Sequence, residues 1–444
     1  MKILSITAGA ANMYCGSCLR DNALAAELMR QGHEVTLVPI YTPTRTDEDN
    51  VSESRVLFGG INVYLQQNVP IFRRTPGFVD RLFDAGWLMN LLGRLSFSTD
   101  PGKLGALTIS TLRGEDGFQR KEVLRLVSWL KAQPPPDVVV LPNSLLIGLA
   151  PSFVRSLGRP IVCTLQGEDL FLDGLTVPER NEALELIRRH VEYVDGFVAV
   201  SHYYADYMGR LLSIPREKMA VVPLGINFQG YEPAAAPEKP LSIGYFARVA
   251  PEKGLHNLCE AYRLLRSRDD LPETRLRVAG YLGRQHRSYL AQLTREMGRA
   301  GLSHEFHYHG VLGREEKIDF LRSLAVVSVP TDYDEPKGLF VLEAMACGVP
   351  VVQPDRGAFP ELVSRTGGGR LVRAGDPRHL AESLADLLLD SEARRELGRR
   401  AATGVRRHYS VEQMATASVE VFERVIRREA LGEREVVEAG ALPR

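Results

Sequence analysis

Residues 332–352 read DYDEPKGLFVLEAMACGVPVV and combine a turn-rich loop, a short apolar helix and a buried strand. The predicted helix contains one acid, Glu343, whose helical neighbours are apolar. A carboxylate in such surroundings needs a partner, because the burial of an unpaired charge is costly. A second acid, Glu335, stands eight positions earlier in the loop that leads into the helix. The stretch therefore predicts a structural unit that also carries chemistry.

Short β-branched runs alternate with helical patterns along almost the whole chain, which is typical of parallel sheets covered by crossover helices. The predicted strands of the first half are KILSITAG, EVTLVPI, INVYL, DVVVLPN, PIVCTLQ, GFVAVS and MAVVPLG. Those of the second half are LSIGYFAR, TRLRVAGY, FHYHG, AVVSVPT, PVVQPD and GRLVRAG. Each set suffices for one doubly wound parallel sheet, so the predicted fold class is α/β with two Rossmann-like domains.

The predicted first domain covers residues 1–228, and the second covers residues 241–408. Between them, at 229–240, the apolar periodicity lapses, and prolines and alanines accumulate. This composition suits a linker between domains.

A last amphipathic helix is predicted at about 410–428, where Ser410 and Gln413 have the spacing of a capping box. Its apolar face needs a surface to cover it. Residues 430–444 show no core pattern, so we expect a flexible tail there.

The composition of the 444 residues is that of a soluble globular protein, with 55 basic and 55 acidic side chains. This balance gives no reason to expect a nucleic-acid partner, and nothing in the sequence indicates an oligomeric state. The opening MKILSITAG predicts a first strand rather than an export signal, and no window offers about 18 uninterrupted apolar residues. Five scattered cysteines do not form a disulfide framework. We therefore expect a cytoplasmic protein.

Residues 66–119 form a connection longer than a simple βα loop, with aromatic, glycine and arginine residues intermixed. One hypothesis is a helical insertion that packs on its own domain. The other is that this segment shapes an acceptor site or touches the inner face of a membrane as a peripheral contact, through Phe83, Trp87 and Leu88.

Two cations, Arg248 and Lys253, follow the predicted strand LSIGYFAR, at the edge of the sheet where ligands bind in open parallel sheets. The predicted helix that starts at Gly338 and Leu339 adds unpaired N–H groups and the positive end of a helix dipole. Cations and a helix end that converge would hold a diphosphate. Surface arginine and lysine are commonplace, so the pair alone is weak evidence.

The two acids would then lie on either side of that diphosphate. Glu343, inside the helix, could accept hydrogen bonds from the hydroxyls of a nucleotide ribose. Glu335 could contact whatever group is attached to the other end of the diphosphate. The alternatives are that Glu343 is a buried acid paired with a core arginine or lysine, and that Glu335 is a solvent-exposed turn residue.

The E-x7-E motif in EPKGLFVLEAMACGVPVV, with RGAFPELV, FARVAPEKG and VVPLGIN, resembles the retaining nucleotide-sugar glycosyltransferases of family 4. The opening ITAGAANMYCGSCLRDNALAAELMRQGHEVTLV is similar to their first strand, glycine-bearing loop and first helix. The resemblance covers most of the chain, and 66–119 is matched least. It implies a GT-B architecture, with two facing Rossmann-like domains and a cleft between them, completed by a last helix that returns to the first domain. It also implies a hexosyltransferase of the EC 2.4 type.

By this resemblance, the substrates are a nucleoside-diphosphate sugar and a hydroxyl-bearing acceptor, which is a glycan, a lipid or a small molecule. Arg248 and Lys253 match the pair that holds the donor diphosphate. Glu343 matches the acid on the ribose hydroxyls, and Glu335 matches the acid on the transferred sugar.

The resemblance also implies roles for backbone groups. The backbone groups of Gly338 and Leu339 would lie near the transferred sugar. The backbone of Gly310 and Val311 matches the position where the family binds the nucleotide base. It implies no bound cofactor and no obligatory metal.

The loop QGEDLFLDG departs from the family pattern, because Gln166 stands where many relatives carry histidine. Glutamine cannot act as a general base, so Glu168 or Asp169 is the candidate base, unless a phosphate oxygen takes the proton. Gly9 and Gly16, around the first glycine-bearing loop, are predicted to approach the donor or the acceptor.

Cys15 and Cys18 form a C-x-x-C motif before the first predicted helix. Such a motif admits a thiol redox role or a soft-metal site, although the chain has no second C-x-x-C to complete a zinc tetrad. Simple loop packing is the other interpretation. The alternatives to a glycosyltransferase are thus a thiol redox protein, or a sugar-nucleotide epimerase or other non-transferase enzyme on the same fold.

Overall fold

The computed structural model describes residues 1–9, 15–54, 56–59, 63, 66–67, 101–233 and 239–432. The chain divides into two compact units. The first unit is Met1–Pro223 with Met414–Arg444, and the second unit is Leu224–Gln413.

In the described part of the first unit, a seven-stranded sheet has the order β3-β2-β1-β4-β5-β6-β7, and its strand pairs are parallel. Its strands are β1 (Lys2–Thr7), β2 (Glu34–Tyr41), β3 (Leu57–Gly59), β4 (Val138–Leu141), β5 (Ile161–Leu165), β6 (Gly196–Ala199) and β7 (Met219–Val221). Its helices are α1 (Gly16–Arg30), α2 (Pro101–Leu112), α3 (Arg120–Lys131), α4 (Ala150–Leu157), α5 (Asp169–Asp173), α6 (Val177–His190) and α7 (His202–Leu212).

The second unit contains a six-stranded parallel sheet among its described residues, in the order β10-β9-β8-β11-β12-β13. Its strands are β8 (Leu241–Phe246), β9 (Thr274–Ala279), β10 (Phe306–Tyr308), β11 (Val326–Val327), β12 (Val351–Pro354) and β13 (Gly369–Val372). Its helices are α8 (Leu255–Arg266), α9 (Arg287–Arg299), α10 (Arg314–Arg322), α11 (Leu339–Ala346), α12 (Phe359–Thr366), α13 (Pro377–Leu389) and α14 (Ser391–His408).

The last helix, α15 (Val411–Ile426), belongs to the first unit from Met414 onward. The predicted capping box opens it, because Ser410 N–H donates to Gln413 Oε1 and Gln413 N–H donates to Ser410 Oγ, both over 3.2 Å. On its apolar face Met414, Val421, Phe422 and Val425 are buried, whereas Ile426 at its end is exposed.

Both sheets are doubly wound. In the first, sequence order runs outward from β1 to β3 on one side and from β4 to β7 on the other, so the order reverses between β1 and β4. In the second, the reversal lies between β8 and β11. Ligands of open α/β sheets bind outside the carboxyl ends of the strands at such a reversal. Ligands are therefore expected at the loops after β1 and β4 in the first unit and after β8 and β11 in the second.

The predicted α/β fold with two parallel sheets is confirmed. The strand predicted at INVYL is wrong at Val63, the one residue of that run that the structure describes, because Val63 is helical and β3 precedes it. A short apolar run fits a strand or a buried helix equally well, so its periodicity could not decide.

Several predictions concern residues that are not described. The proposed membrane contact through Phe83, Trp87 and Leu88 lies outside the described residues, and so does most of the predicted tail. Across the part of the chain that is described, no helix combines the length and the apolar character needed to cross a bilayer.

Candidate functional site

Lys253 and Glu335 form a buried ion pair in the second unit. Lys253 Nζ lies 2.6 Å from Glu335 Oε2, and the side chains are only 13% and 3% exposed. The Tyr333 hydroxyl accepts a hydrogen bond from Lys253 Nζ over 2.7 Å and donates one to Glu335 Oε2. The Gly338 N–H donates to Glu335 Oε1 over 3.2 Å. A cation, a phenol and the amide that precedes α11 thus converge on one carboxylate.

The electrostatics of this cluster favour the ionised carboxylate. Burial is the largest single influence and opposes the charge of Glu335, but the Lys253 ammonium and the hydrogen bonds from Lys253, Tyr333 and Gly338 together outweigh it. Together they lower the pKa of Glu335 to about 2. Burial also lowers the pKa of Lys253, against the attraction of Glu335. Lys253 is therefore a desolvated cation, which acts more strongly on an anion than a hydrated one does.

Local backbone geometry places the lysine. Lys253 ends a short 3-10 turn, and Gly254 follows it with φ +69°. A Cβ on Gly254 would lie 1.7 Å from the Pro330 carbonyl oxygen, so glycine is required for this close approach. The Asp332 N–H donates to the Glu252 carbonyl over 3.0 Å, which joins the loop after β8 to the loop that carries Glu335.

Arg248 lies in the same loop but has a different partner. Its Nη2 atom lies 2.6 Å from Glu252 Oε1, and its side chain is 40% exposed. Its charge contributes to lowering the pKa of Lys253. Arg248 thus acts electrostatically on Lys253, while its own partner is an acid of the same loop.

Glu343 lies inside α11 and is held by two buried side chains. Its Oε1 atom accepts hydrogen bonds from Lys317 Nζ over 2.6 Å and from the Tyr231 hydroxyl over 3.1 Å. Burial, and then the charge of Glu343, raise the pKa of Tyr231. This is the pairing with a core lysine that the sequence left open. Sequence analysis missed both partners, although a lysine among the apolar residues of α10 was a signal for Lys317.

The backbone positions predicted to contact the donor occur in two places. Gly338 precedes α11 with φ +64°, and Leu339 is the first residue of that helix. Gly310 follows β10 with φ +76°, and its carbonyl accepts a hydrogen bond from Gly280 N–H over 2.8 Å. The Val311 side chain beside it is 45% exposed. Gly310 itself is half-buried.

In the first unit, Glu168 and Asp169 follow β5 and differ in their contacts. Glu168 Oε1 accepts from Ser144 N–H and Oγ over 3.0 and 2.9 Å, and Oε2 accepts from Gln166 N–H over 2.8 Å. Asp169 Oδ1 accepts from the Tyr204 hydroxyl over 2.7 Å. Glu168 therefore ties the loops after β4 and β5 together, whereas Asp169 has fewer bonds to its carboxylate.

The pKa of Asp169 is raised to about 6 by burial, with a further contribution from the charge of Glu168, while the Tyr204 hydrogen bond acts in the opposite direction. A carboxyl group with a pKa near neutrality is suited to proton transfer at physiological pH. Of the two acids that the sequence singled out, Asp169 is thus the better candidate base, because the carboxylate of Glu168 is held by Ser144 and Gln166.

Gln166 is buried and bridges two segments. Its Nε2 atom donates to the Pro142 carbonyl over 2.8 Å and lies 3.4 Å from Asp21 Oδ1. Asp21 forms a buried ion pair with Arg20, with 3.2 Å between Oδ1 and Nη1. The glutamine therefore connects the loop after β4 with α1.

The first glycine-bearing loop is described at its two ends. Gly9 has φ +67°, and a Cβ there would lie 2.2 Å from the Thr42 carbonyl oxygen, so this glycine serves a close approach to the loop after β2. Gly16 is the first residue of α1, after Cys15. A hydrogen bond with Cys15, and then burial, raise the pKa of the Cys18 thiol. A protonated, buried thiol is a poor nucleophile and a poor metal ligand.

No group of three or more His, Cys, Asp and Glu side chains is arranged to hold a metal ion within the described ranges. None of the five cysteines, all of which lie among the described residues, takes part in a disulfide bond.

Gly357 packs directly against the backbone of Glu335. It has φ +58°, and a Cβ there would lie 2.6 Å from the nitrogen and the oxygen of Glu335. We expect Gly357→Ala to cost on the order of 3 kcal/mol of stability and to reduce activity, because the loop of Glu335 must shift. Chemical denaturation and an activity assay measure both effects.

Gly301→Ala is the matched control. Gly301 has φ +76° but nothing within 4 Å of the added Cβ, so only the backbone strain of about 1 kcal/mol is expected. Equal losses from the two substitutions would show that the contact with Glu335 contributes nothing.

Two protein-family models match this chain. "Glycosyl transferases group 1" matches residues 232–403, and "Glycosyl transferase 4-like domain" matches residues 21–225. The lipopolysaccharide core biosynthesis mannosyltransferase LpsB of Rhizobium meliloti is 31% identical over 261 residues, which are 54% of this chain and 68% of LpsB. A D-inositol 3-phosphate glycosyltransferase of Streptomyces avermitilis is 29% identical over 249 residues, or 52% of each chain. The chain spans about half the length of several such relatives.

Solved structures share the fold at low sequence identity. A sucrose-phosphate synthase from Thermosynechococcus elongatus superposes with a TM-score of 0.72 at 18% identity, over 96% of this chain and 99% of that chain. Anabaena Alr3699/HepE in complex with UDP-glucose gives a TM-score of 0.65 at 18% identity, over 95% and 99% of the two chains. These likenesses extend over both units.

Proposed function

This chain belongs to the glycosyl transferases of group 1, with a 4-like amino-terminal domain, and from that premise we propose that it transfers a sugar from a nucleoside-diphosphate sugar to a hydroxyl group with retention of anomeric configuration. The observation that carries the proposal is the buried cluster of Lys253, Glu335 and the Gly338 N–H. It combines a desolvated cation and a helix start with an acid placed beside them.

Cleavage of a sugar–phosphate bond needs stabilisation of the departing diphosphate. Lys253, with Arg248 nearby and the first amides of α11, would provide preorganised positive charge. These groups do not have to reorganise during the reaction, which makes this the largest usual contribution to such a rate enhancement. The proposal needs no divalent ion and no bound cofactor, because the chain's own groups offset the charge.

Glu335 and Glu343 would each bind one of the two sugars of the donor, which are the transferred sugar and the ribose. Glu335, in front of α11, would contact the transferred sugar. Glu343 is a preorganised acceptor for the ribose hydroxyls, because Lys317 and Tyr231 hold its carboxylate in one orientation. Gly310 and Val311 would lie along the base.

In the first unit, Asp169 would take the proton of the acceptor hydroxyl. Tyr204 orients its carboxylate, and its raised pKa matches the task. Gln166, with Gly9 and Gly16, would line the same edge of the sheet. The acceptor is a hydroxyl-bearing glycan, lipid or small molecule.

A uridine diphosphate sugar is the first donor to examine, because Anabaena Alr3699/HepE is in complex with UDP-glucose. The test is a thermal-shift screen with UDP, GDP and ADP and their sugars, followed by an assay for nucleoside diphosphate released from the best sugar. A ligand at 100 times its dissociation constant stabilises the native protein by about 2.7 kcal/mol, so we expect a clear rise in melting temperature.

Release of the free nucleoside diphosphate separates the proposal from its alternatives. An epimerase changes the sugar and keeps the nucleotide attached, and a thiol redox protein consumes no donor. No thermal shift with any of the nucleotides would exclude the proposed donor class.

A further inference from the structure

The groups assigned above to the donor diphosphate already hold an anion. Lys253 Nζ donates to Glu335 Oε2 over 2.6 Å, and the Gly338 N–H donates to Glu335 Oε1 over 3.2 Å. The carboxylate of Glu335 thus binds the cation and the helix start that a diphosphate would use.

The carboxylate and a diphosphate cannot share these groups closely. Glu335 is buried and ionised, and a second anion beside it meets like-charge repulsion with little screening by solvent. Binding of a diphosphate to Lys253 therefore requires that the carboxylate withdraws.

The backbone of Glu335 is fixed, so the side chain has to make this movement. The Ala358 N–H donates to the Glu335 carbonyl over 2.8 Å, and Gly357 packs against the nitrogen and oxygen of the same residue. Tyr333 contacts both Lys253 and the carboxylate, so its hydroxyl can remain bonded to Lys253 when the carboxylate leaves.

We propose that Glu335 is a built-in competitor of the donor diphosphate: its carboxylate binds the Lys253 and Gly338 groups before the donor does, and the incoming diphosphate displaces it toward the transferred sugar. This inference rests on the proposed function. Binding of the diphosphate would therefore be coupled to the movement of the Glu335 carboxylate toward the transferred sugar.

The consequence is unusual for a residue that contacts substrate. Glu335→Gln is expected to bind a free nucleoside diphosphate more tightly than the wild type, by roughly 10-fold, because one like-charge contact is removed and Lys253 is released. The same variant is expected to transfer sugar poorly, because the acid beside the sugar is lost.

The experiment is isothermal titration calorimetry of the full chain with UDP, GDP and ADP, comparing wild type and Glu335→Gln. Glu305→Gln is the matched control, because Glu305 is also buried against a tyrosine and a cation, with Tyr262 and Arg266 at 2.6 and 2.9 Å. We expect the control to bind nucleotide as the wild type does. Glu335→Gln in a Lys253→Met background should show no gain, because the gain depends on the lysine.

Glu335→Asp keeps the charge on a shorter side chain and serves as the second variant if Glu335→Gln does not fold, with an intermediate gain expected. If the wild type binds a nucleotide and the folded Glu335 variants bind it equally or more weakly, the competition is refuted and the proposed function stands. If the wild type binds none of the three nucleotides, both the proposed function and this inference fail.

Discussion

Lys253→Met is expected to lower kcat/KM for sugar transfer by about 1,000-fold, the loss typical of removing a preorganised charge from a transition state. The change also leaves the carboxylate of Glu335 buried without its cation. Removal of one partner of a buried pair costs about 3–5 kcal/mol, so a large fall in the free energy of unfolding is expected as well. Steady-state kinetics and chemical denaturation measure the two effects.

Two further variants separate the effect on catalysis from the effect on folding. Lys253→Met/Glu335→Gln removes both charges and should recover most of the lost stability while transfer stays as low as in Lys253→Met. Lys239→Met, at an exposed lysine of the same unit, should change neither quantity. A Lys253→Met enzyme that keeps activity within a factor of about ten would contradict the role given to the lysine.

Turnover is expected to fall on acidification, with its midpoint near pH 6, because Asp169 has a pKa of about 6 and must be ionised to accept a proton. Asp169→Asn should lower kcat by about 100- to 1,000-fold and remove this acidic limb. Gln166→Ala should have a smaller effect on turnover and should leave the limb in place. A profile of kcat against pH that is the same for wild type and Asp169→Asn would exclude Asp169 as the base.

The same pKa shift predicts how stability depends on pH. The folded-state pKa of Asp169 is raised from 3.8 to about 6, so the folded protein holds this proton more tightly than the unfolded chain. This proton contributes up to about 3 kcal/mol to the free energy of unfolding. The contribution is complete below about pH 4 and is lost as the pH rises through about 6. Asp169→Asn should lack this loss, which denaturation at pH 4.5, 5.5 and 7 would show. Glu168→Gln should show a smaller loss than the wild type, because it removes a charge that contributes to the raised pKa of Asp169.

Much of the second unit could be predicted from local patterns. β-branched runs marked the strands, and the glycine at 338 marked the start of α11, because a residue with φ +64° before a helix favours glycine. The proximity of Lys253 to the start of α11 followed from one rule, that loops at the carboxyl ends of strands share an edge. That rule names the edge on which side chains lie but not the atoms that they contact.

The partners of the acids could not be predicted in this way. Glu343 could equally have faced a ligand or a core cation, and only the packing of α10 against α11 brought Lys317 to it. Tyr333 and Tyr204 carried no sequence signal that separated them from other tyrosines. Their importance follows from hydroxyl positions within 3 Å of a carboxylate or an ammonium group.

The sequence by itself determined most of the strands and helices, though not the run INVYL, and it determined which glycines turn the chain and which edge of each sheet carries charge. Those properties depend on neighbours within a few positions, so periodicity and backbone preference encode them. Only the tertiary structure decided that Lys253 bonds Glu335, 82 positions away, while Lys317 bonds Glu343. A hydrogen bond requires atoms placed to within a few tenths of an ångström, and that placement depends on strand order and loop paths along the whole unit.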